Sequence, residues 1–286
     1  MGPRTIPELH RMKQDGRKIV GVVAWDYQIA RIVDEAGVDI VSVGDSVGVN
    51  LWGHASPLEV TLDQMIMVCQ AVRRGVENAL VSCDFPYGPL QEGAQAAVRA
   101  AIRLVKEGGA DLVKLDGAAD FPEAVSAVDR AGIPVFAQFG ITPQTALRHG
   151  VDFTAVSTSG LEVPAEMTDE MVGQAKLLAE AGAALLNFTN SGPVAGPEVV
   201  RAVSVPVLGG SGGGPWLDGR MRMVHAAIGY AHSALSSDSG SDIGRYANVA
   251  RATLDAITAY ADDVRAARQI KGSPQPPPGG QRNERK

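Results

Sequence analysis

Three aspartates, a serine and a lysine stand where short apolar runs of this sequence break off. Asp45 and Ser46 follow DIVSVG (39–44), Asp84 closes ALVSCD (79–84), and Lys114 lies two residues before Asp116 in DLVKLDG (111–117). An Asp just after a strand commonly caps the next helix or makes an Asx turn, so each one alone is ordinary. Together they end three successive strands, and their side chains converge on one sector. Three uncompensated carboxylates repel one another. A hard divalent cation removes that repulsion, and Mg2+ takes oxygen ligands, few of them from protein and the rest from water. Neither His nor Cys stands at these positions, which argues against zinc. Lys114 shares a strand face with Asp116, where it either pairs with a carboxylate or holds an anionic substrate. Mg2+, Lys114 and Ser46 together describe a site for a small carboxylate with a neighbouring oxygen, such as a 2-oxo acid chelated through both.

The elements that position these groups follow a simple rhythm. Val/Ile/Leu-rich runs at 19–25, 39–44, 79–84, 111–117, 133–140, 183–190, 205–212 and 220–229 alternate with longer amphipathic stretches. Runs without polar alternation indicate strands covered on both faces. The stretches 26–37, 92–109 and 168–182 read as helices ending at glycine, with Thr168 and Glu170 as capping residues of the last. The phrase EAGVDIV (35–41) returns as EGGADLV (107–113) and EAGAALL (180–186), a helix end handing directly into a strand. Parallel β/α units need that junction. Eight strand candidates predict a (β/α)8 TIM barrel over 1–270, with an open doubly wound sheet as the alternative. No G-x-G-x-x-G turn follows the first strand, which weakens the dinucleotide-binding form of that alternative. The strand ends then place Asp26, Gln138, Thr189–Asn190 and Ser211 on the same rim as the aspartates. The span between the second and third strands is long for a crossover and is expected to carry function. Residues 271–286 lack core-forming side chains and read as a disordered basic tail.

Composition narrows the partners. The 286 residues carry a formal net charge of −6, with 45% hydrophobic and 20% charged residues, and no basic cluster before the C-terminus. A nucleic-acid footprint is not expected from that distribution. Two cysteines, Cys69 and Cys83, cannot build a disulfide framework, and a reducing cytoplasm fits them. No apolar run reaches the length of a membrane span.

The longer motifs are similar to a known family. VGDSVGVNLWGHASPLEVTLDQMI (43–66), AVRRG (71–75), DFP (84–86), LVKLDG (112–117) and FGITPQT (139–145), with a weaker echo at 205–229, resemble ketopantoate hydroxymethyltransferase (3-methyl-2-oxobutanoate hydroxymethyltransferase). That family lies within the phosphoenolpyruvate mutase/isocitrate lyase superfamily of barrels. The resemblance implies transfer of a hydroxymethyl group from 5,10-methylenetetrahydrofolate to 3-methyl-2-oxobutanoate for pantothenate synthesis, by a homo-oligomer, commonly a decamer. It implies Asp45 and Asp84 as Mg2+ ligands and Asp116 near the metal, where the family usually has Glu. Ser46 and Lys114 would hold the oxo-acid carboxylate, with Lys114, Ser46, Gln138 and Thr189 the residues carried over as catalytic.

The sequence departs from the family at the proton-transfer positions. The strand that carries the family's proposed catalytic Glu reads AALLNFTNSGP, with Thr189 at that place, and the family His within FAQFG is Gln138. The loop at 146–160 and the chain beyond Tyr230 also lose the family pattern. Thr and Gln take up no proton at neutral pH, so His54, His149 or a hydroxide on the metal are the replacements on offer. Two further readings follow from the same site. One is a 2-oxo acid lyase or decarboxylase, in which an enolate forms by C–C cleavage without C–H abstraction. The other is a non-catalytic 2-oxo acid binding homologue.

Overall fold

In the computed structural model, which describes residues 3–151, 161–210, 212–235, 245–266 and 268, eight parallel strands close into a barrel in chain order. The strands are β1 (Ile19–Val23), β2 (Ile40–Val43), β3 (Leu80–Asp84), β4 (Leu112–Leu115), β5 (Val135–Gly140), β6 (Leu185–Thr189), β7 (Val207–Gly209) and β8 (Gly219–Met223). Closure is made by β8 against β1, with Gly219 opposite Ile19. A side chain at Gly219 would collide with the Ile19 carbonyl, so only glycine lets the last strand seal the first. All eight strands lie in one unit, Met1–Val224. A second unit, His225–Lys286, contains the helix α9 (Val249–Arg265), capped by Asn248, whose side chain accepts from the Arg251 N–H. The expected tail at 271–286 lies outside the described residues.

Helices follow the strands as the sequence rhythm predicts. They are α2 (Tyr27–Glu35), α3 (Val47–Leu51), α4 (Leu62–Gly75), α5 (Ala94–Arg103), α6 (Pro122–Arg130), α7 (Thr168–Glu180) and α8 (Ala195–Ala202). Four details differ from the sequence reading. The span between β2 and β3 is largely helical, because Thr61 and Gln64 form a capping box that starts α4. The helix expected over 92–109 ends as α at Arg103 and continues as a π turn over Leu104–Gly108. Thr168 does not cap α7; its hydroxyl donates to the Ala165 carbonyl instead. The last strand is shorter than its apolar run and ends at Met223.

Strand geometry sends alternate side chains inward, and the interior is layered as a result. The first inward residues of the strands, Ile19, Ile40, Leu80, Leu112, Phe136, Leu185, Leu208 and Met221, form one apolar cluster. The helix α1 (Ile6–Gln14) closes this end with Leu9 and Met12, held by Lys13 Nζ at 2.9 Å from Asp218 Oδ2. Outward-facing residues such as Val41, Val81, Val113 and Val135 belong to a second cluster beneath the helices. Two residues further along five neighbouring strands, the inward side chains turn polar: Ser42, Ser82, Lys114, Gln138 and Asn187. Asp84, Asp116 and Thr189 come two residues after that. The strands β3, β4 and β6 thus climb from an oily floor through a polar middle to a reactive rim. Because Phe136 is fully buried in the floor layer, Phe136→Ala should cost roughly 3–5 kcal/mol. Urea unfolding followed by circular dichroism measures that loss.

Candidate active site

Register explains the first contact at the rim. Asp84 and Lys114 are partners across β3 and β4, and Lys114 Nζ sits 2.8 Å from Asp84 Oδ2 with both side chains largely buried. Asp45 is one turn beyond β2, in a loop anchored by the Trp25 indole N–H donating to the Gly44 carbonyl at 3.0 Å. Gln144, in the loop after β5, ties the three strand ends together. Its side-chain amide donates to Asp45 Oδ2 at 3.3 Å and to the Phe85 carbonyl at 3.4 Å. Its backbone N–H donates to Asp116 Oδ2 at 3.3 Å.

The rim aspartates are therefore not helix caps. Asp26 is one: its carboxylate accepts from the Ile29 N–H at 2.9 Å and starts α2. Ser46 occupies the cap position of α3, yet its hydroxyl makes no capping bond, and the side chain is half-buried beside Asp45. That leaves the hydroxyl for a ligand. His54 packs across this turn; a Cβ at Gly48 would stand 2.8 Å from its Nδ1, so glycine admits the ring. His149 closes a single helical turn, Ala146–His149, after β5.

Burial sets the electrostatics. Asp45 is raised from 3.8 to about 7, first by desolvation and then by the Asp84 charge, with Lys114 pulling the other way. Asp116 is raised to about 6, again chiefly by burial, which hydrogen bonds from Thr142 and Gln144 partly offset. Asp84 is raised by desolvation despite its lysine partner. Burial is the largest influence on Lys114 and lowers it, but the charge and hydrogen bond of Asp84 together with the charges of Asp45 and Asp116 outweigh it, so the ammonium is held above its ordinary value. One cation thus serves three carboxylates, and the mouth carries surplus negative charge.

Asp84 Oδ1 and Asp116 Oδ1 are buried and without a hydrogen-bond partner among the described residues. Such atoms are costly unless something accepts their lone pairs. An all-oxygen donor set suits a hard cation. Among the described residues no three His, Cys, Asp or Glu side chains are gathered into a ready-made cage. The arrangement fits an ion that keeps most of its waters, as Mg2+ does, and does not fit an all-protein zinc or calcium cage.

At the other side of the rim, Gln138 Nε2 donates to Thr189 Oγ1 at 3.0 Å, and both side chains are buried. The stacked rings of Phe139 and Phe188, 4.6 Å apart on the outward face, hold these two strand ends in step. Asn190 is structural: it adopts a positive φ of 57° and its amide donates to the Ile141 carbonyl at 3.0 Å. Ser211 lies outside the described residues, as does the loop expectation over 152–160. Sequence reasoning missed Gln144 as a tie between strands, and it missed Ser42, Ser82 and Asn187. The signal for the last three was a polar residue at the third place of otherwise apolar strands, in IVSV, LVSCD and LLNFT.

Fold and rim together define a (β/α)8-barrel enzyme whose C-terminal mouth offers oxygen donors and one buried lysine. The chain belongs to the ketopantoate hydroxymethyltransferase family, whose model matches residues 3–269. Curated 3-methyl-2-oxobutanoate hydroxymethyltransferases are similar along nearly all of it. The Salinibacter ruber protein is 37% identical over 91% of this chain and 94% of its own length. The one from Cyanothece sp. is 36% identical over 94% and 98%. Solved structures share the fold at low identity. A 2,3-dimethylmalate lyase of the PEP mutase/isocitrate lyase superfamily aligns with a TM-score of 0.58 at 15% identity, covering 91% of this chain and 98% of that one. A phosphonopyruvate hydrolase, solved with oxalate and Mg2+, aligns with a TM-score of 0.53 at 14% identity over 93% and 88%.

The raised carboxylates make a pH prediction for the metal-free protein. Asp45 keeps its proton up to about pH 7 when folded but loses it near 3.8 when unfolded. The folded state therefore binds more protons across that window, and stability falls as pH rises from about 4 to about 7. Asp45→Asn should flatten that slope, as read from thermal midpoints at each pH.

Proposed function

We propose that this protein is a Mg2+-dependent ketopantoate hydroxymethyltransferase-type enzyme, forming a C–C bond at the carbon beside the ketone of a 2-oxo acid. The observation that carries this reading is the buried Asp84–Lys114 pair flanked by Asp45 and Asp116, with carboxylate oxygens left unpartnered. Asp45 and Asp84 would hold the metal, with Asp116 acting on it through water. A bound Mg2+ would polarise the carboxylate and ketone oxygens of the oxo acid and stabilise negative charge spreading from C3. Lys114 neutralises the substrate carboxylate, and the Ser46 hydroxyl, unused by its helix, donates to it. Gln138 and Thr189, bound to each other, orient the oxo acid rather than remove its proton. The family's 5,10-methylenetetrahydrofolate would supply the one-carbon unit from the open side of the mouth. A cytoplasmic setting fits the two buried free thiols, Cys69 and Cys83. A homo-oligomer fits α9, on which Leu254, Ile257, Tyr260 and Val264 are exposed.

One observation favours a second reading. No carboxylate stands at the end of β6, and the neutral Gln138–Thr189 pair fills that place. A 2-oxo acid lyase or decarboxylase needs no group there to break a C–H bond, since C–C cleavage itself delivers the electron pair. A binding homologue would use the pocket with neither step. Proton exchange separates the three. With Mg2+ and 3-methyl-2-oxobutanoate in D2O, the transferase reading requires metal-dependent loss of the C3 proton signal by NMR. Binding without exchange removes it and leaves the lyase and binding readings. Asp84→Asn should abolish Mg2+-dependent ligand binding in calorimetry while the circular dichroism spectrum stays unchanged. Full binding in that variant takes Asp84 out of the metal site.

A further inference from the structure

Three members of the polar layer beneath the rim, Ser42, Ser82 and Asn187, are used by none of the chemistry above. TIM-barrel interiors are usually filled by branched apolar side chains. Here Ser42 and Ser82 face each other across β2 and β3, and both are fully buried. Gln138 and Asn187 are partners across β5 and β6 and are also buried. Lys114 completes the layer between them. Among the described residues, Ser82 Oγ and Asn187 Oδ1 have no hydrogen-bond partner. The Ser42 hydroxyl likewise has no hydrogen-bond partner among the described residues.

Polar groups buried this way are either met by a guest or cost stability. An isopropyl group, as in 3-methyl-2-oxobutanoate, would cover them without pairing with them. The guest they suit must both donate and accept, since serine hydroxyls do either and a carboxamide oxygen accepts. A second carboxylate is disfavoured, because Asp84 is adjacent and Lys114 is already paired to it. A hydroxyl meets every condition.

Resting on the function proposed above, we infer that the acceptor substrate is a 2-oxo acid that carries a hydroxyl on the reacting carbon. That hydroxyl points down from the metal-chelating oxygens into the barrel and is read by Ser42, Ser82 and Asn187. These three are specificity-determining residues, and the apolar floor of Ile40, Leu80 and Leu185 lies directly beneath them.

Hydroxypyruvate and 2-oxobutanoate differ by a hydroxyl in place of a methyl group and test the inference directly. Calorimetric titration with Mg2+ present should show hydroxypyruvate binding at least about tenfold more tightly, because a site built to pair a hydroxyl leaves polar groups stranded when the methyl enters. Ser82→Ala and Asn187→Leu, measured separately so that one misfolded variant does not decide the matter, should each shrink that ratio toward one. Equal affinity of the two acids for the wild-type protein overturns the inference while the metal site stands; the layer is then filled by water alone. An undiminished preference in both folded variants overturns it as well. If neither acid nor 3-methyl-2-oxobutanoate binds in a Mg2+-dependent way, the proposed function fails and takes this inference with it.

Discussion

The mouth of this barrel is organised by a charge imbalance. Asp45, Asp84 and Asp116 are buried around one ammonium, and the closest pair, Lys114 with Asp84, neutralises only one of the three. In a low-dielectric setting an unpaired carboxylate either takes a proton or takes a cation. The raised values of Asp45 and Asp116 are the protonation answer; the unpartnered oxygens of Asp84 and Asp116 leave room for the cation answer. A fold that tolerates such strain does so because the rest of it is overdetermined. Eight strands are locked in register, an apolar floor is sealed by α1, and helices cover the outside.

The layering of the interior gives each depth a separate task. At the floor, Ile40, Leu80, Leu112, Phe136 and Leu185 bury apolar area and supply stability. At the rim, carboxylates and lysine concentrate charge where a ligand can reach it. The middle layer contributes little to stability, because buried hydroxyls without partners weigh against folding. Retaining Ser82 and Asn187 there makes sense as recognition, in keeping with the tendency of binding sites to sacrifice stability for function. Gln144 adds a further constraint: by reaching Asp45, Asp116 and the Phe85 carbonyl, it makes the loop after β5 report on the spacing of the acidic groups.

Much of this was legible along the chain. The repeated helix-to-strand junctions at 35–41, 107–113 and 180–186 announced parallel β/α units, because that junction is a local matter of a glycine cap and a following apolar run. Asp45, Ser46, Asp84, Lys114 and Asp116 were visible because strand ends are local too. Asp26 shows the limit of the same reasoning, since nothing in its own neighbourhood separates a capping aspartate from a rim aspartate. The pairing of Gln138 with Thr189 was equally hidden: the two are 51 residues apart, and only closure of β5 onto β6 joins them.

By itself the sequence determined the alternation of strands and helices, the positions at which each strand breaks, and the chemistry of the residues placed there. These follow from propensity and spacing, which act over a few residues. Tertiary structure alone decided which carboxylate meets the lysine, which aspartate is spent on a helix cap, and that serines forty residues apart face each other in the barrel interior. Those outcomes depend on strand register and on burial, and both are set by contacts between segments that have no sequence relation until the barrel closes.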